Sequence, residues 1–210
     1  MATSYVTLAE FKNWVTPNLS ATTLDEDATM NTAITAASQL IDDYTGRRFY
    51  STSADETLYF TASQSDVLLP YDLGVDILSI TTLSTDEDGD RTYETTWTTS
   101  DYDLEPYNAA SQLRPYTYIR VTPNGSYSFP TIRRSIKLVG KFGFCTLANL
   151  PTWAPKVRDA CIMQAARLYM RRVTPSGVGG DSMFGQVRIP ARLDADVELE
   201  LTPLRRELLY

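Results

Sequence analysis

Apolar positions recur at three- and four-residue steps near both ends of the chain, and they alternate or cluster through its middle. Met30, Ala33, Ile34, Ala37, Leu40, Ile41 and Tyr44 form one stripe at helical spacing, with Asp25, Thr32, Gln39 and Asp43 opposite. The spacing predicts a long helix. Asp25, Glu26 and Asp27 fall in its first turn, where the helix dipole favours acids, and Gly46 supplies the stop. Ala33 and Ala37 are small enough for a second helix to approach closely. A shorter helix precedes it. Thr7 and Glu10 stand at capping-box spacing, Leu8, Phe11, Trp14 and Val15 follow, and Pro17 ends the run. Helical spacing returns at Pro155, a residue favoured at the first helical position. Val157, Ala160, Cys161, Ala165, Leu168 and Tyr169 make its apolar face, Lys156, Gln164, Arg167 and Arg171 share another, and the helix is expected to end near Val173. A last helix is expected with Asp194 as N-cap and Val197, Leu201 and Leu204 on one side, interrupted by Pro203.

Between Phe49 and Phe144 the pattern is that of strands. ETLYF, DVLLP, DILSITTLST, TYETTWTT, YTYIRVT and SIKLVGKFGF are rich in β-branched and aromatic residues and predict about five or six strands. DEDGD at Asp86 to Asp90 predicts a hairpin turn, and TPNGSYSFP from Thr122 to Pro130 a turn or loop. TPSGVGGDS, from Thr174 to Ser182, predicts a mobile loop, and MFGQVRIP a short extended piece. The fold class is therefore α+β: a helical bundle core of N-terminal helices and a long C-terminal helix, an inserted antiparallel β-module and an extended C-terminal arm. The expected divisions are 1–48 with 150–173 for the core, 49–149 for the insertion and 174–210 for the loop and arm.

Composition changes the picture mainly by exclusion. The net charge of −7 argues against a generic DNA-coating surface, although an acidic wall lets DNA slide past without sticking. With no histidine, neither a Ser-His-Asp nor a Cys-His arrangement can form, and two cysteines cannot complete a four-ligand structural zinc site. Cys145 and Cys161 are expected to be free thiols. No Walker-type loop occurs, and SGVGGDSMFG neither follows a strand nor opens a helix. Aligning DEDGD with a calcium-binding EF-hand loop puts Thr95 where the bidentate Glu belongs, so a solvated turn is the better reading. No spacing singles out a catalytic carboxylate pair, including Asp42 and Asp43, which point about 100° apart on a helix. No cofactor and no metal are expected. The first residues lack a signal-peptide pattern, and no run approaches the roughly 18 apolar residues of a membrane span, so a soluble protein made in the cytoplasm of the producing cell is expected.

Three segments, taken in order, resemble a known family. AITAASQLIDDYTGRRF carries an I-x-x-A-S-x-x-I-D-x-Y-T-G-R-x-F pattern. VGKFGF runs into LPTWAPKVRDACIMQAARLYMRR. The chain closes on VRIPARLDADVELELTPLRR. This succession resembles the head–tail connector (adaptor, head-completion) proteins of tailed bacteriophages. The resemblance implies a non-enzymatic virion protein that forms a ring, usually twelve-fold, beneath the portal. Such a ring joins the portal to the tail or next neck protein and continues the channel through which double-stranded DNA passes. It also implies a portal-docking arm, carried onto Val187, Arg188, Ile189, Pro190, Leu193, Val197, Leu201, Leu204, Arg205 and Arg206. Arg47, Arg48, Arg167, Arg171 and Arg172 are candidate charges for the interface between subunits; the plainer reading is dipole complementation and surface ion pairs at helix ends. The competing functions are a tail-terminator or assembly-chaperone module, and a carboxylate hydrolase.

Overall fold

The computed structural model describes residues 4–15, 24–70, 74–123, 125–171, 178–179, 187–188 and 193–206. The chain is α+β and divides into two compact units: residues up to Gly46 together with Ala154–Arg206, and the span Arg47–Trp153.

The first unit is helical. Helix α1 (Leu8–Val15) opens on the predicted capping box, with Thr7 N–H donating to Glu10 (2.8 Å) and Glu10 N–H to the Thr7 hydroxyl (3.3 Å). Helix α2 (Leu24–Thr45) buries Met30, Ala33, Ile34, Ala37 and Ile41. Leu40 departs from the expected stripe and is 38% exposed. Gly46 ends α2 in the left-handed region (φ +64°), with its N–H donating to the Asp42 carbonyl. Helix α4 (Pro155–Met170) packs on α2, burying Val157, Ala160, Cys161 and Ala165, with the Cys161 thiol 3.4 Å from the Ser38 hydroxyl. Ile162, Ala166 and Gln164 are buried as well, so α4 is enclosed on more than the predicted face. Gln164 was expected on a polar face. It is 2% exposed because its side-chain oxygen accepts the Asp194 N–H. Helix α5 (Ala195–Leu201) lies on α4 with Val197 and Leu201 buried. At Pro203 it gives way to a 3₁₀ turn, Thr202–Leu204, as the ring's missing N–H requires.

The second unit holds seven of the described strands. A four-stranded antiparallel sheet runs in the order β1 (Glu56–Phe60), β7 (Ile136–Phe142), β3 (Ile77–Thr85), β4 (Thr95–Trp97). A three-stranded sheet runs β2 (Val67–Leu68), β6 (Tyr118–Val121), β5 (Tyr102–Glu105). Strand β7 alternates strictly. Ile136, Leu138 and Phe142 face the core, and Lys137, Val139 and Lys141 face out. The inward Gly140 has no room for a side chain: a Cβ there would sit 2.2 Å from the Ser79 carbonyl oxygen, beside irregularities in the β3–β7 register. Between the sheets, Trp97 stacks on Phe129 (4.7 Å) and donates from its indole N–H to Thr85 (3.0 Å). The short helix α3 (Leu150–Trp153) closes this unit.

Two expectations about the middle and the arm need correction. The segment YDLE, not marked as a strand beforehand, forms β5 because Tyr102 and Leu104 reach the core while Asp103 and Glu105 stay outside. The loop expected at Thr174 to Ser182 contains β8 (Val178–Gly179), which pairs antiparallel with β9 (Val187–Arg188).

Candidate functional site

Arg47 and Arg48 follow α2 directly, and both are engaged inside the β unit. Arg47 reaches the buried Asp76 carboxylate (3.3 Å) and lies over the Phe144 ring (5.7 Å). Arg48 grips Glu56 with two nitrogens (2.6 and 3.1 Å), donates to the Phe142 carbonyl, and covers the Tyr50 ring. The Arg48 guanidinium, and after it the Thr52 hydroxyl, hold the Glu56 carboxyl below its ordinary range against the opposing effect of burial. These ion pairs flank a cleft of about 240 Å³ lined also by Leu58, Gly74, Val75, Phe142 and Gly143. The two arginines therefore fasten strands within their own subunit.

Arg167 is likewise engaged within its subunit. Its guanidinium meets Asp194 at 2.6 Å, and Asp194 also caps α5 by accepting from Asp196 N–H. Arg171 continues the turn at the end of α4, its N–H donating to the Arg167 carbonyl. Arg172, Ile189 and Pro190 lie outside the described residues.

The docking-arm residues fall into two groups. Val187 and Arg188 form β9. From Leu193 onward the chain is folded onto the helical unit, which corrects the expectation of an extended arm over this stretch. Val197 and Leu201 are fully buried, and Leu193 and Leu204 are half-buried. Arg205 is exposed over the Tyr44 ring (5.6 Å). The Arg206 side chain is buried, and its N–H donates to the Thr45 carbonyl at the end of α2 (2.8 Å). The exposed large hydrophobic residue of α5 is Leu199, 75% accessible, which the sequence reading passed over.

In the Asp86–Asp90 turn, oxygens of Asp86, Asp88 and Asp90 lie within 4.8 Å of one another. Asp86 closes the turn, accepting from Gly89 N–H (2.7 Å) and Arg91 N–H (2.9 Å). Burial works to raise the Asp86 carboxyl, but these hydrogen bonds outweigh it and hold it below its ordinary value.

Another double arginine, Arg133-Arg134, carries the same signature in the sequence as Arg47-Arg48 and Arg171-Arg172, and was missed. It is exposed beside Tyr59 and Tyr93, whose rings are 5.5 Å apart.

No protein-family model matches the sequence, and a search of curated proteins returns no match. Solved structures do match. A chain in the neck of an empty gene transfer agent particle, computed with C6 symmetry, is 19% identical with a TM-score of 0.60, over 98% of this chain and 92% of that one. This chain shares the fold of that neck chain. A chain in the virion of the native gene transfer agent particle matches at 19% identity and TM-score 0.54 over the same shares. A chain in the neck of the native particle, computed with C12 symmetry, matches at 17% identity and 0.52, over 100% of this chain and 97% of that one. The match thus takes in residues of both units. Among the described residues, no helix is long and apolar enough to cross a membrane.

Proposed function

We propose that this chain is a non-enzymatic structural subunit of a phage-like virion neck. In this reading it forms a homo-oligomeric ring, a dodecamer, between the portal and the tail or next neck protein, and the ring continues the channel for double-stranded DNA. The observation that carries the proposal is the neck fold, matched over 98% of the chain and not over one unit alone. A ring with rotational symmetry needs two unlike patches on each subunit, and a helical unit joined to a β unit offers them. In the docking arm, Val197 and Leu201 anchor α5, while the β8–β9 pair, Leu199 and Arg205 remain as the contact surface for the portal. The chain is assembled in the host cytoplasm and resides in the virion.

The test is electron microscopy of the full chain mixed with its portal. The expected result is a ring of density on the portal's tailward opening. An empty opening, with the chain located elsewhere in purified virions, would favour a tail-terminator or chaperone role.

A further inference from the structure

Four cations gather on one end of the β unit. Arg134 lies over the Tyr59 ring (5.4 Å) and Lys137 over the Tyr93 ring (5.8 Å). Arg91 donates to the Arg133 carbonyl (2.7 Å), and the Tyr93 hydroxyl donates to the Arg134 carbonyl (2.9 Å). Arg91, Arg133 and Arg134 are exposed, Tyr59 is 44% exposed, and Ile132 beside them is 38% exposed. None of the four cations makes an ion pair among the described residues, whereas Arg47, Arg48, Arg158 and Arg167 all do. Arg91 and Arg134 also hold left-handed backbone (φ +77° and +58°), where glycine or asparagine is the cheaper residue. Backbone held in that region by its surroundings clusters at functional sites. Tyrosine and arginine around an aliphatic residue is the composition of an interface hot spot.

The charges around the patch choose the class of partner. Glu87, Asp88 and Asp90 are exposed on the turn that leads into Arg91, so the patch presents both signs, which a uniformly anionic phosphate backbone cannot match. A protein surface, which can present both signs, suits a mixed patch better. The same β unit carries an acidic counterpart. On the edge strand β5, Asp103 and Glu105 alternate with the core residues Tyr102 and Leu104, so both half-buried carboxylates lie on the outer side about 7 Å apart. Glu105 accepts the Tyr107 N–H, and the exposed Arg120 of β6 stands opposite Asp103, so this face too presents both signs while remaining net acidic. Asp101 stands just before them, held below its ordinary carboxyl range by the Thr98 hydroxyl and then the Thr98 N–H.

We infer that the patch of Tyr59, Tyr93, Arg91, Arg133, Arg134 and Lys137 receives the acidic β5 face of a second copy of this chain. This is a head-to-tail contact between unlike surfaces, the kind that closes into a ring, and it rests on the ring reading above.

The experiment uses two full-length variants. One carries Arg134→Glu and Lys137→Glu, which sets two new acids against Arg91 and Arg133 and, with Glu87, Asp88 and Asp90 beside them, turns the patch net acidic like the β5 face. The other carries Asp103→Lys and Glu105→Lys, so its β5 face becomes basic like the patch. Assembly is followed by native mass spectrometry and light scattering, with thermal melts to confirm folding. Each variant alone is expected to assemble at least about tenfold more weakly than wild type. An equimolar mixture is expected to recover assembly with the two variants alternating. Wild-type rings that neither variant weakens, or a mixture of folded variants that does not recover, overturn the interface and leave the ring reading standing. A wild-type chain that stays monomeric both alone and with the portal defeats the ring reading, and this contact with it. Zero-length carbodiimide cross-linking of wild type needs no variant to fold. It should join Lys137 of one copy to Asp103 or Glu105 of another, and rings without that cross-link count against the proposal. Binding of a short DNA duplex that is lost with Arg134→Glu and Lys137→Glu, without the cross-link, would reassign the patch to nucleic acid.

Discussion

Arg167 on α4 and Asp194 at the start of α5 meet at 2.6 Å, and the same carboxylate accepts the Asp196 N–H that begins α5. One residue therefore both caps the last helix and ties it to α4. Asp194→Ala should cost about 1–2 kcal/mol, mostly from the cap, since the carboxylate side of the ion pair is partly solvated. Hydrogen exchange of the Ala195–Leu201 amides should rise roughly tenfold, while Asp194→Ser, which keeps a capping oxygen, should change it little.

Ile34 is 1% exposed on the face of α2 that meets α4. Ile34→Asp places an uncompensated charge there and should cost about 4 kcal/mol or more. An unchanged melting temperature would show that this face is not buried in solution.

Gly140→Ala should be more damaging than its one added methyl suggests. The Cβ would meet Ser79 backbone at 2.2 Å, so β3 and β7 must separate locally. A loss of about 3 kcal/mol is expected in denaturant titration.

Burial pushes the Cys161 thiol up to about 11 and Cys145 up to about 12, from an ordinary value of 9.0. Both should resist a thiol reagent at pH 8 until the protein unfolds. Because the folded values are raised, the unfolded chain releases these protons first, and stability should fall as pH climbs above 9. Replacing both cysteines by alanine should flatten that alkaline decline.

The acid limb runs the other way. Glu56 is depressed below 4.5 in the folded chain by Arg48, so its contribution is present above that pH and is lost as pH falls through the folded value. Glu56→Gln should lower stability at pH 7 and make unfolding below pH 4.5 less steep.

Much of the fold was legible because its signals are local. Thr7 with Glu10, Pro155, Gly46, Asp194 and Pro203 each act within one helical turn, and all five stand where their chemistry requires. Misses came where distant parts of the chain decide. Gln164 reads as a surface residue until Asp194 N–H arrives to satisfy it, and YDLE reads as polar until Tyr102 and Leu104 find the core. The arginine pairs show the same limit for the site. Arg47-Arg48 and Arg133-Arg134 look alike in sequence, yet only the first pair has Asp76 and Glu56 within reach.

The parallel bridge between Tyr50 and Cys145 joins the two ends of a stretch roughly a hundred residues long. Closing a flexible loop of that length costs about 4 kcal/mol in chain entropy. Once the strands have paired, that search is over, because the folded stretch delivers α2 and α4 as neighbours. Strand pairing ought then to set the pace of folding, and lesions among the strands should slow the appearance of helix–helix packing even though they lie outside it. By the same logic, added length at the tips of the strands should be tolerated far better than added length beside Tyr50 or Cys145.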